Sequence, residues 1–291
     1  MAFVANTLNN LPVTSGSVFF VDSGASRAAD GNAGRDPSVP MATIDAAVGR
    51  CTANNGDMIV VMPGHSESPT SSIALDVAGV WVYGLGWGAS RPTITFEALA
   101  ATCAMSADST RISNLRFTLG ATTATVTNAV VMSGDYCVME DCEVQMHVTS
   151  QFTDIVAVTG DYFIIKNNHI RALNSASSAT GIKMTTTLNG WIEGNFISGH
   201  FGSTAAIDDT AASGSTRVMI LHNFVKNFSS TAGDLAIALD DASIGYVAEN
   251  DIVGGLALAS NVDFGNSSCI ENYVTDAADV SAVLIPATAA T

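Results

Sequence analysis

The chain has 291 residues and a formal charge of −16, and only 13% of its residues are charged while 47% are apolar. Its 11 Lys and Arg against 27 Asp and Glu disfavour DNA, RNA or an anionic membrane as a main partner, because each phosphate contact needs a cation. No apolar stretch approaches the length of a membrane span. The sequence therefore predicts neither nucleic acid nor membrane as a partner.

The first 57 residues read as an arm followed by a cap. Residues 1–17 lack the charged start and apolar run of a signal peptide and are too few for a folded domain, so we expect an arm. Residues 18–57 form the predicted cap, with an amphipathic helix at about 43–52. Thr43 is its predicted N-cap, and Ile44, Ala47, Val48 and Cys51 share one face. This helix would cover the open end of the structure that follows.

Residues 58–275 repeat one phrase with a period of about 27 residues: an apolar residue, two others, Asn, one other, and an apolar residue. An early copy without Asn runs Val82, Leu85, Trp87. A second apolar segment precedes the phrase, as in 129–132, 155–158, 236–239 and 256–258. A period of this size with strand-like units predicts a coil of short parallel strands, about nine turns long.

The Asn position of the repeat recurs in five successive turns, at Asn168, Asn195, Asn223, Asn250 and Asn272. An Asn side chain has two N–H donors and an acceptor oxygen, so identical side chains in adjacent turns can bond to one another. We predict a structural ladder of these residues and not a ligand site.

The remaining features are a short tail and five cysteines. Residues 276–291 are rich in Ala and weakly patterned, which predicts a loose cap or arm. The cysteines (Cys51, Cys103, Cys137, Cys142 and Cys269) are odd in number and show no CxxC spacing. We expect buried free thiols, no metal, no cofactor, and folding in a reducing cytoplasm.

A resemblance to a known family rests on the entry segment. It comprises Phe20-Val21-Asp22-Ser23-Gly24, the run 30–37, Ala42-Thr43-Ile44-Asp45-Ala46-Ala47, and the run from Gly56 to Pro63-Gly64-His65. With the repeat that follows, it resembles the entry to pectate-lyase-like right-handed β-helices, most of all those in structural proteins of tailed bacteriophages. The resemblance implies an all-β, single-stranded right-handed parallel β-helix. It is weak for activity, because this fold hosts lyases, hydrolases, spikes and inert scaffolds.

The catalytic motifs of the enzymes in that family are missing here. His200 lies in Ser-Gly-His-Phe and His65 in Pro-Gly-His-Ser, so Gly-His-Gly is absent, and Arg91-Pro92 lacks the second Arg of a lyase motif. Four aspartates lie near corresponding places in neighbouring turns: Asp208, Asp209, Asp240 and Asp241. They could bind calcium or a glycan, or act as an acid and a base, but the simpler interpretation is solvated turn residues. We therefore predict no catalytic and no metal site.

The residue before each apolar anchor should point outward, since strand side chains alternate. That column is apolar over five consecutive turns: Val138, Ile164, Trp191, Met219 and Tyr246. It could be covered by loops of the chain, bind sugars, or pack against another subunit. We predict the interface of a homo-oligomer, which the resemblance to phage proteins implies is a trimer.

These observations predict a non-enzymatic virion structural protein, made in a host cytoplasm and placed on the outer capsid surface. As a capsid decoration or cement protein it would bind the major capsid protein and stabilise the shell through linked contacts. The alternative is a tail spike or receptor-binding protein that binds or cleaves host polysaccharide, which would use Trp81, Trp191, Tyr136, Tyr162 and the aspartates. A cellular lyase or hydrolase is disfavoured by the missing motifs.

Overall fold

The computed structural model describes residues 14–120, 126–147, 150–173, 180–202, 204–210, 213–255, 261–276 and 283–285. In these residues the chain is a parallel β-solenoid with almost no helix, which confirms the prediction of an all-β parallel coil, while the predicted count of about nine turns stays a prediction. Each turn contributes short strands to three sheets, named A, B and C in the order in which the chain reaches them. Most of the predicted arm and tail, and the strand predicted at 256–258, lie outside the described residues.

Sheet A is parallel and contains ten strands: β1 (Val18–Val21), β2 (Met58–Val61), β5 (Trp81–Gly84), β8 (Arg111–Ser113), β11 (Val138–Glu140), β14 (Ile164–Lys166), β17 (Trp191–Glu193), β20 (Thr216–Leu221), β23 (Ile244–Ala248) and β26 (Ser268–Ile270). Residues 18–21, predicted as part of the cap, are the first of these strands and pair with β2.

Sheet B also contains ten strands: β3 (Ser66–Glu67), β6 (Thr93–Phe96), β9 (Arg116–Leu119), β12 (Glu143–Gln145), β15 (His169–Arg171), β18 (Phe196–Gly199), β21 (Phe224–Asn227), β24 (Asp251–Gly254), β27 (Asn272–Asp276) and β28 (Val283–Ile285). Its last strand, β28, pairs antiparallel with β27, whereas the other pairs are parallel.

Sheet C contains eight strands: β4 (Ile73–Leu75), β7 (Cys103–Met105), β10 (Val126–Met132), β13 (Phe152–Val158), β16 (Thr180–Met184), β19 (Ala205–Asp209), β22 (Leu235–Leu239) and β25 (Val262–Asp263).

The core is a set of apolar columns along the axis of the coil. On sheet A, Ile165 lies between Met139 and Ile192 in register, and all three side chains are fully buried. Burying one such side chain contributes about 1.5–3 kcal/mol, so a period that repeats the same inward position stabilises the whole stack.

The cap helix is shorter than the predicted span of about 43–52. Helix α1 comprises Ile44–Val48, the Thr43 side chain accepts a hydrogen bond from the N–H of Ala46, and the C-cap is Gly49. Ile44, Ala47 and Val48 are buried in the same core as β1 and β2. Its role as a cover of the open end stays a prediction. A 3-10 turn lies at Gly88–Ser90, and no helix of the described residues is long and apolar enough to cross a membrane.

The five Asn of the repeat stack at the corner between sheets A and B. The Nδ2 of each of the first four donates to the Oδ1 of the next. The N–O distance is 3.0 Å for Asn168 to Asn195, Asn195 to Asn223 and Asn223 to Asn250, and 2.9 Å for Asn250 to Asn272. All five are buried. The residue before each ladder position adopts a left-handed conformation, which turns the chain within one residue.

All five cysteines are free thiols, and all but Cys51 are buried. Burial raises the pKa of Cys142 to about 12, and burial together with the Asp57 charge raises that of Cys51 to about 12. Both are therefore protonated at neutral pH and unreactive as nucleophiles.

Candidate functional site

One corner between sheets A and B is much longer than the others. Between β8 and β9 the corner has two residues, Asn114 and Leu115, whereas between β5 and β6 it has the eight residues 85–92. This long loop makes two turns that need glycine: Gly86 has a φ of 100°, and a Cβ placed there would lie 2.4 Å from the carbonyl oxygen of Ser90. The loop therefore departs from the coil and stands beside the following turns.

A groove of about 1020 Å³ lies between this loop and the next turns of the corner. We name it the corner groove. Residues 83–88 and Cys142 line part of it, and its polar side chains are Arg91, Asn114, Arg116, Asp141, Glu143, Asn167 and His169. Its volume suits a ligand of several sugar-sized units, and it combines a flat aromatic ring with a few convergent polar groups, as binding sites do.

Two arginines converge on one carboxylate in the corner groove. Arg116 Nε lies 2.9 Å from Glu143 Oε2, and Arg91 Nη1 lies 3.7 Å from the same oxygen. Arg116 Nη2 also donates to the carbonyl of Gly88 at 3.1 Å, which ties the loop to sheet B. Asp141 forms no salt bridge within the described part of the chain. The groove thus holds two cations and two carboxyl groups, in a protein that carries 16 excess negative charges.

Trp87 is the most exposed large aromatic side chain of the described residues, at 79%. The Arg91 guanidinium lies 5.1 Å from its ring centroid. Trp87 occupies the last apolar place of an early copy of the repeated phrase, and the long loop carries it out of the strand pattern into solvent. A flat apolar ring beside hydrogen-bonding groups suits a pyranose, whose C–H face packs on the ring while its hydroxyls bond to polar side chains.

His169 forms the far side of the groove on β15. Burial and the nearby Arg171 charge lower the pKa of this imidazole below its ordinary value. It is therefore neutral at pH 7 and can both donate and accept a hydrogen bond. Its ring meets Phe196 of the next turn edge-on, at a centroid distance of 4.8 Å.

The four aspartates singled out in the sequence have separate roles. Asp208 is buried and accepts from Thr210 N at 3.0 Å and Oγ1 at 2.8 Å. Asp209 is also buried, which raises its pKa, and accepts from the hydroxyls of Ser215 at 2.9 Å and Ser243 at 2.6 Å. The expectation of solvated turn aspartates is therefore wrong for these two.

Asp240 and Asp241 lie outside the strands, and Asp240 Oδ1 accepts from Ala242 N at 2.8 Å. The described residues contain no group of three or more His, Cys, Asp or Glu side chains that could hold a metal ion.

The apolar column of sheet A is in register on five adjacent strands, Val138 to Ile164 to Trp191 to Met219 to Tyr246. Trp191 and Met219 are each 38% exposed, and the other three are half-buried. Its role as a subunit interface stays a prediction.

Other side chains noted in the sequence are spread over the molecule. His65 is buried: its Nδ1 accepts from Ser23 N at 3.0 Å and its Nε2 lies 3.1 Å from Glu67, a structural link to the entry segment. Trp81 donates to Ser113 at 2.9 Å. Tyr136 and Tyr162 are exposed and stack at 4.6 Å, at the corner between sheets C and A. None of these lines the corner groove.

A second charged pair lies on sheet C. Lys183 Nζ is 3.8 Å from Asp154 Oδ1, and Asp208 is the register partner of Lys183 on the next strand. Burial raises the pKa of Asp154. The pair lies on a sheet without a described groove, so we do not place the functional site there.

The sequence reasoning missed the groove residues Trp87, Arg116, Asp141, Glu143 and His169. The signal available was the run Gly84-Leu85-Gly86-Trp87-Gly88, which breaks the repeat just where the corner lengthens.

No protein-family model matches the sequence, and no curated protein matches it. Among solved structures, the chain is similar to a variant of sacteLam55A from Streptomyces sp. SirexAA-E in complex with glucose, with 15% identity, a TM-score of 0.53, and coverage of 80% of this chain and 46% of that one. The chain thus spans less than half the length of that protein.

Two further similar structures are pectate lyase Pel9A and the pectin methylesterase from Aspergillus niger. The former has 12% identity, a TM-score of 0.45 and coverage of 89% of this chain and 80% of that one. The latter has 16% identity, a TM-score of 0.46 and coverage of 93% and 89%. The parallel solenoid itself is shown by the three sheets, and the phage setting stays a prediction.

The prediction that the chain is not an enzyme is corrected by this comparison. Structures with this fold include a pectate lyase, a rhamnogalacturonan lyase and a pectin methylesterase, which are enzymes that act on polysaccharides. At 12–16% identity the likeness shows the fold alone, so the case for a reaction in this chain rests on the corner groove.

Proposed function

We propose that the chain binds a neutral polysaccharide in the corner groove and hydrolyses it there. The observation that carries this proposal is the placement of the exposed Trp87 in a groove with two arginines and two carboxylates. A sugar ring can pack its C–H face on this indole while its hydroxyls bond to Arg91 and Arg116.

The charges favour a neutral over an acidic polymer. Arg91 and Arg116 both contact Glu143, so neither guanidinium is an unpaired cation that could hold a row of uronates. The chain as a whole carries −16, which repels a polyanion at long range. Hydroxyl groups, in contrast, can accept from the arginines and donate to the carboxylates.

Hydrolysis needs one carboxyl group as acid and one carboxylate as base or nucleophile. Glu143, in contact with Arg116 and Arg91, is the group we assign as base: it takes a proton from water, whose oxygen attacks the anomeric carbon. Asp141, which has no salt bridge within the described ranges, is assigned as the acid that protonates the leaving oxygen as the C–O bond breaks. His169, neutral at pH 7, would hydrogen-bond the sugar hydroxyls.

Hydrolysis of a polysaccharide favours the alternative interpretation of the sequence, a tail spike or receptor-binding protein, over a capsid decoration protein. A tail spike or receptor-binding protein of a bacteriophage uses a glycan groove, whereas a cement protein has no need of one. The resemblance of the entry segment to phage proteins supports that setting, and the apolar column of sheet A would join the copies of a homo-oligomer.

The proposal is tested with laminarin, dextran and galactomannan as neutral polymers and polygalacturonate as an acidic one. We expect at least one neutral polymer to quench tryptophan fluorescence and to release new reducing ends, with polygalacturonate inactive. Trp87→Ala should weaken binding about tenfold. Tyr136→Ala, which removes another exposed aromatic ring that does not line the groove, is the matched control. Unchanged binding in Trp87→Ala, or no binding of any neutral polymer, would contradict the proposal.

A further inference from the structure

The outward side chains of sheet B continue from the corner groove along the coil. In register on successive strands lie Glu143, His169, Phe196, Phe224, Asp251 and Tyr273. The first two line the groove. We name the aromatic part of this row, His169, Phe196, Phe224 and Tyr273, the aromatic column.

Three rings of the aromatic column, those of His169, Phe196 and Phe224, touch in sequence, and Asp251 separates Phe224 from Tyr273. Phe196 meets His169 edge-on at 4.8 Å and stacks on Phe224 at 4.8 Å with an interplanar angle of 10°. Phe196 is 42% exposed and Tyr273 49% exposed, while Phe224 is half-buried. From His169 to Phe224 the column is thus an aromatic ribbon open to solvent and joined to the groove through His169, and Tyr273 lies beyond Asp251.

Polar side chains flank this ribbon on both sides. Two residues further along each strand, the outward positions of the same turns are Gln145, Arg171, Ser198 and Lys226. On the other side are the left-handed corner residues, among them His222, which lies 2.8 Å from Glu249. An apolar ribbon between polar rows matches a sugar chain, whose rings have apolar C–H faces and polar rims, better than it matches an apolar protein surface.

We propose that the aromatic column extends the corner groove, so that one polysaccharide chain runs from Trp87 across His169 and then along the coil axis over Phe196 and Phe224. This inference rests on the proposed function and adds to it a direction and a length. The four strand spacings from His169 to Tyr273 span about 19 Å at about 4.8 Å each, enough for several sugar units beyond the groove. The protein should therefore prefer long chains and cleave them internally.

We assign a sugar chain as the occupant of the aromatic column because the column continues the corner groove through His169. Cross-strand stacking of aromatics also stabilises a sheet, but buried stacking would serve stability better than a ring that is 42% exposed. A second copy of this chain would have to leave the groove next to it open, since His169 belongs to both surfaces.

The test compares chain lengths in the double variant Phe196→Ala/Phe224→Ala. Calorimetric titration uses laminarin as the long ligand and laminaritriose as the short one. We expect the laminarin affinity to fall about tenfold and the laminaritriose affinity to stay the same, because the short ligand fills only the groove. Tyr136→Ala/Tyr162→Ala removes another exposed stacked pair and is the matched control, expected to change neither affinity.

Two results would overturn the inference, and they are distinguishable. If wild-type protein binds both ligands and the Phe196→Ala/Phe224→Ala variant keeps full laminarin affinity, the column is not a binding surface and the groove proposal stands. If wild-type protein binds neither laminarin nor dextran nor galactomannan, the groove proposal fails and the column with it; if it binds one of the other two polymers instead, that polymer and its trisaccharide replace laminarin and laminaritriose in the same comparison. Phe196→Ala alone, at the more exposed ring, serves if the double variant does not fold, with an expected loss of several-fold for laminarin only.

Discussion

Arg116 and Glu143 lie one turn apart on neighbouring strands of sheet B, with Nε 2.9 Å from Oε2. Arg91, which comes from the long loop, approaches the same oxygen at 3.7 Å. This one carboxylate thus connects the loop, two turns of the coil and the interior of the corner groove. It is the residue from which both the architecture and the chemistry of the site can be tested.

Replacing Glu143 with Gln should abolish hydrolysis while leaving binding largely intact. The amide keeps the shape of the side chain but cannot take a proton, so we expect release of reducing ends to fall about 10²–10⁴-fold. Glu140→Gln is the matched control, since Glu140 also pairs with an arginine, Arg111, but on sheet A and outside the groove. An equal loss of activity in both variants would show that the effect is one of folding and not of catalysis.

His169 should titrate below its ordinary pKa of 6.5. Burial disfavours the imidazolium and the Arg171 charge adds to this effect, so folding is opposed once the pH falls low enough to protonate the ring. As the pH falls from 6.5 to the folded-state pKa of His169, the wild-type protein should lose stability. This loss should be absent in His169→Gln. NMR titration of the ring protons measures the pKa directly, and a midpoint above 6.5 would contradict the environment described here.

Glu140 should contribute to stability at neutral pH and lose that contribution in acid. Burial opposes its ionisation, but hydrogen bonds from Arg111, Lys166 and Ser113 outweigh burial and hold its pKa below the ordinary 4.5. Because the folded-state pKa is the lower one, the stabilisation is complete above about pH 4.5 and is lost as the pH falls through the folded-state value. Thermal unfolding of wild type and Glu140→Gln should therefore differ at pH 7 and converge as the pH falls below the folded-state pKa of Glu140.

Asn223→Ala should destabilise the coil by about 3 kcal/mol, because it removes bonds to neighbours on both sides and leaves buried groups unpaired. Asn223 Oδ1 accepts from Asn195 N at 2.9 Å, and its Nδ2 donates to Ile192 O at 2.9 Å and to Asn250 at 3.0 Å. The exposed Asn266 provides the control, and its replacement by Ala should cost less than about 0.5 kcal/mol. Equal midpoints in urea unfolding would argue against a structural ladder.

Aspartate at two positions of the sheet A column should separate the subunits of the expected homo-oligomer. Ile164→Asp and Trp191→Asp place charges in the middle of the apolar row, where a buried unpaired carboxylate costs several kcal/mol. Light scattering should report an oligomer for wild type and a monomer for the double variant. A wild-type monomer, or an oligomer that persists in the double variant, would contradict the predicted subunit interface on sheet A.

Much of the fold could be read from the repeat. The spacing of Ile165, Ile192 and Ile220 places them on one inward column, and the Asn phrase marks the corner that follows. Such features recur in every turn because each turn packs the same inward positions against its two neighbours. A periodic sequence is therefore enough to reveal them. The helix was less certain, because the five residues Ile44–Val48 are held by packing at one end of the coil and not by a long amphipathic pattern.

The site could not be read in the same way, because it lies where the period fails. Trp87 occupies an apolar place in the phrase, and only the eight-residue corner reveals that it points to solvent. Arg116, Glu143 and His169 are ordinary outward residues of separate turns, and the distance between them depends on strand register. Paired aspartates drew attention in the sequence because they are adjacent, yet Asp208 and Asp209 are occupied by local hydrogen bonds.

The most direct test of the account is a crystal structure of the Glu143→Gln variant with a long laminarin oligosaccharide. We expect sugar density over Trp87, in contact with Arg91 and Arg116, that continues past His169 onto Phe196 and Phe224. Density on sheet C near Asp154 and Lys183, or over Tyr136 and Tyr162, with the corner groove empty, would contradict the central claim.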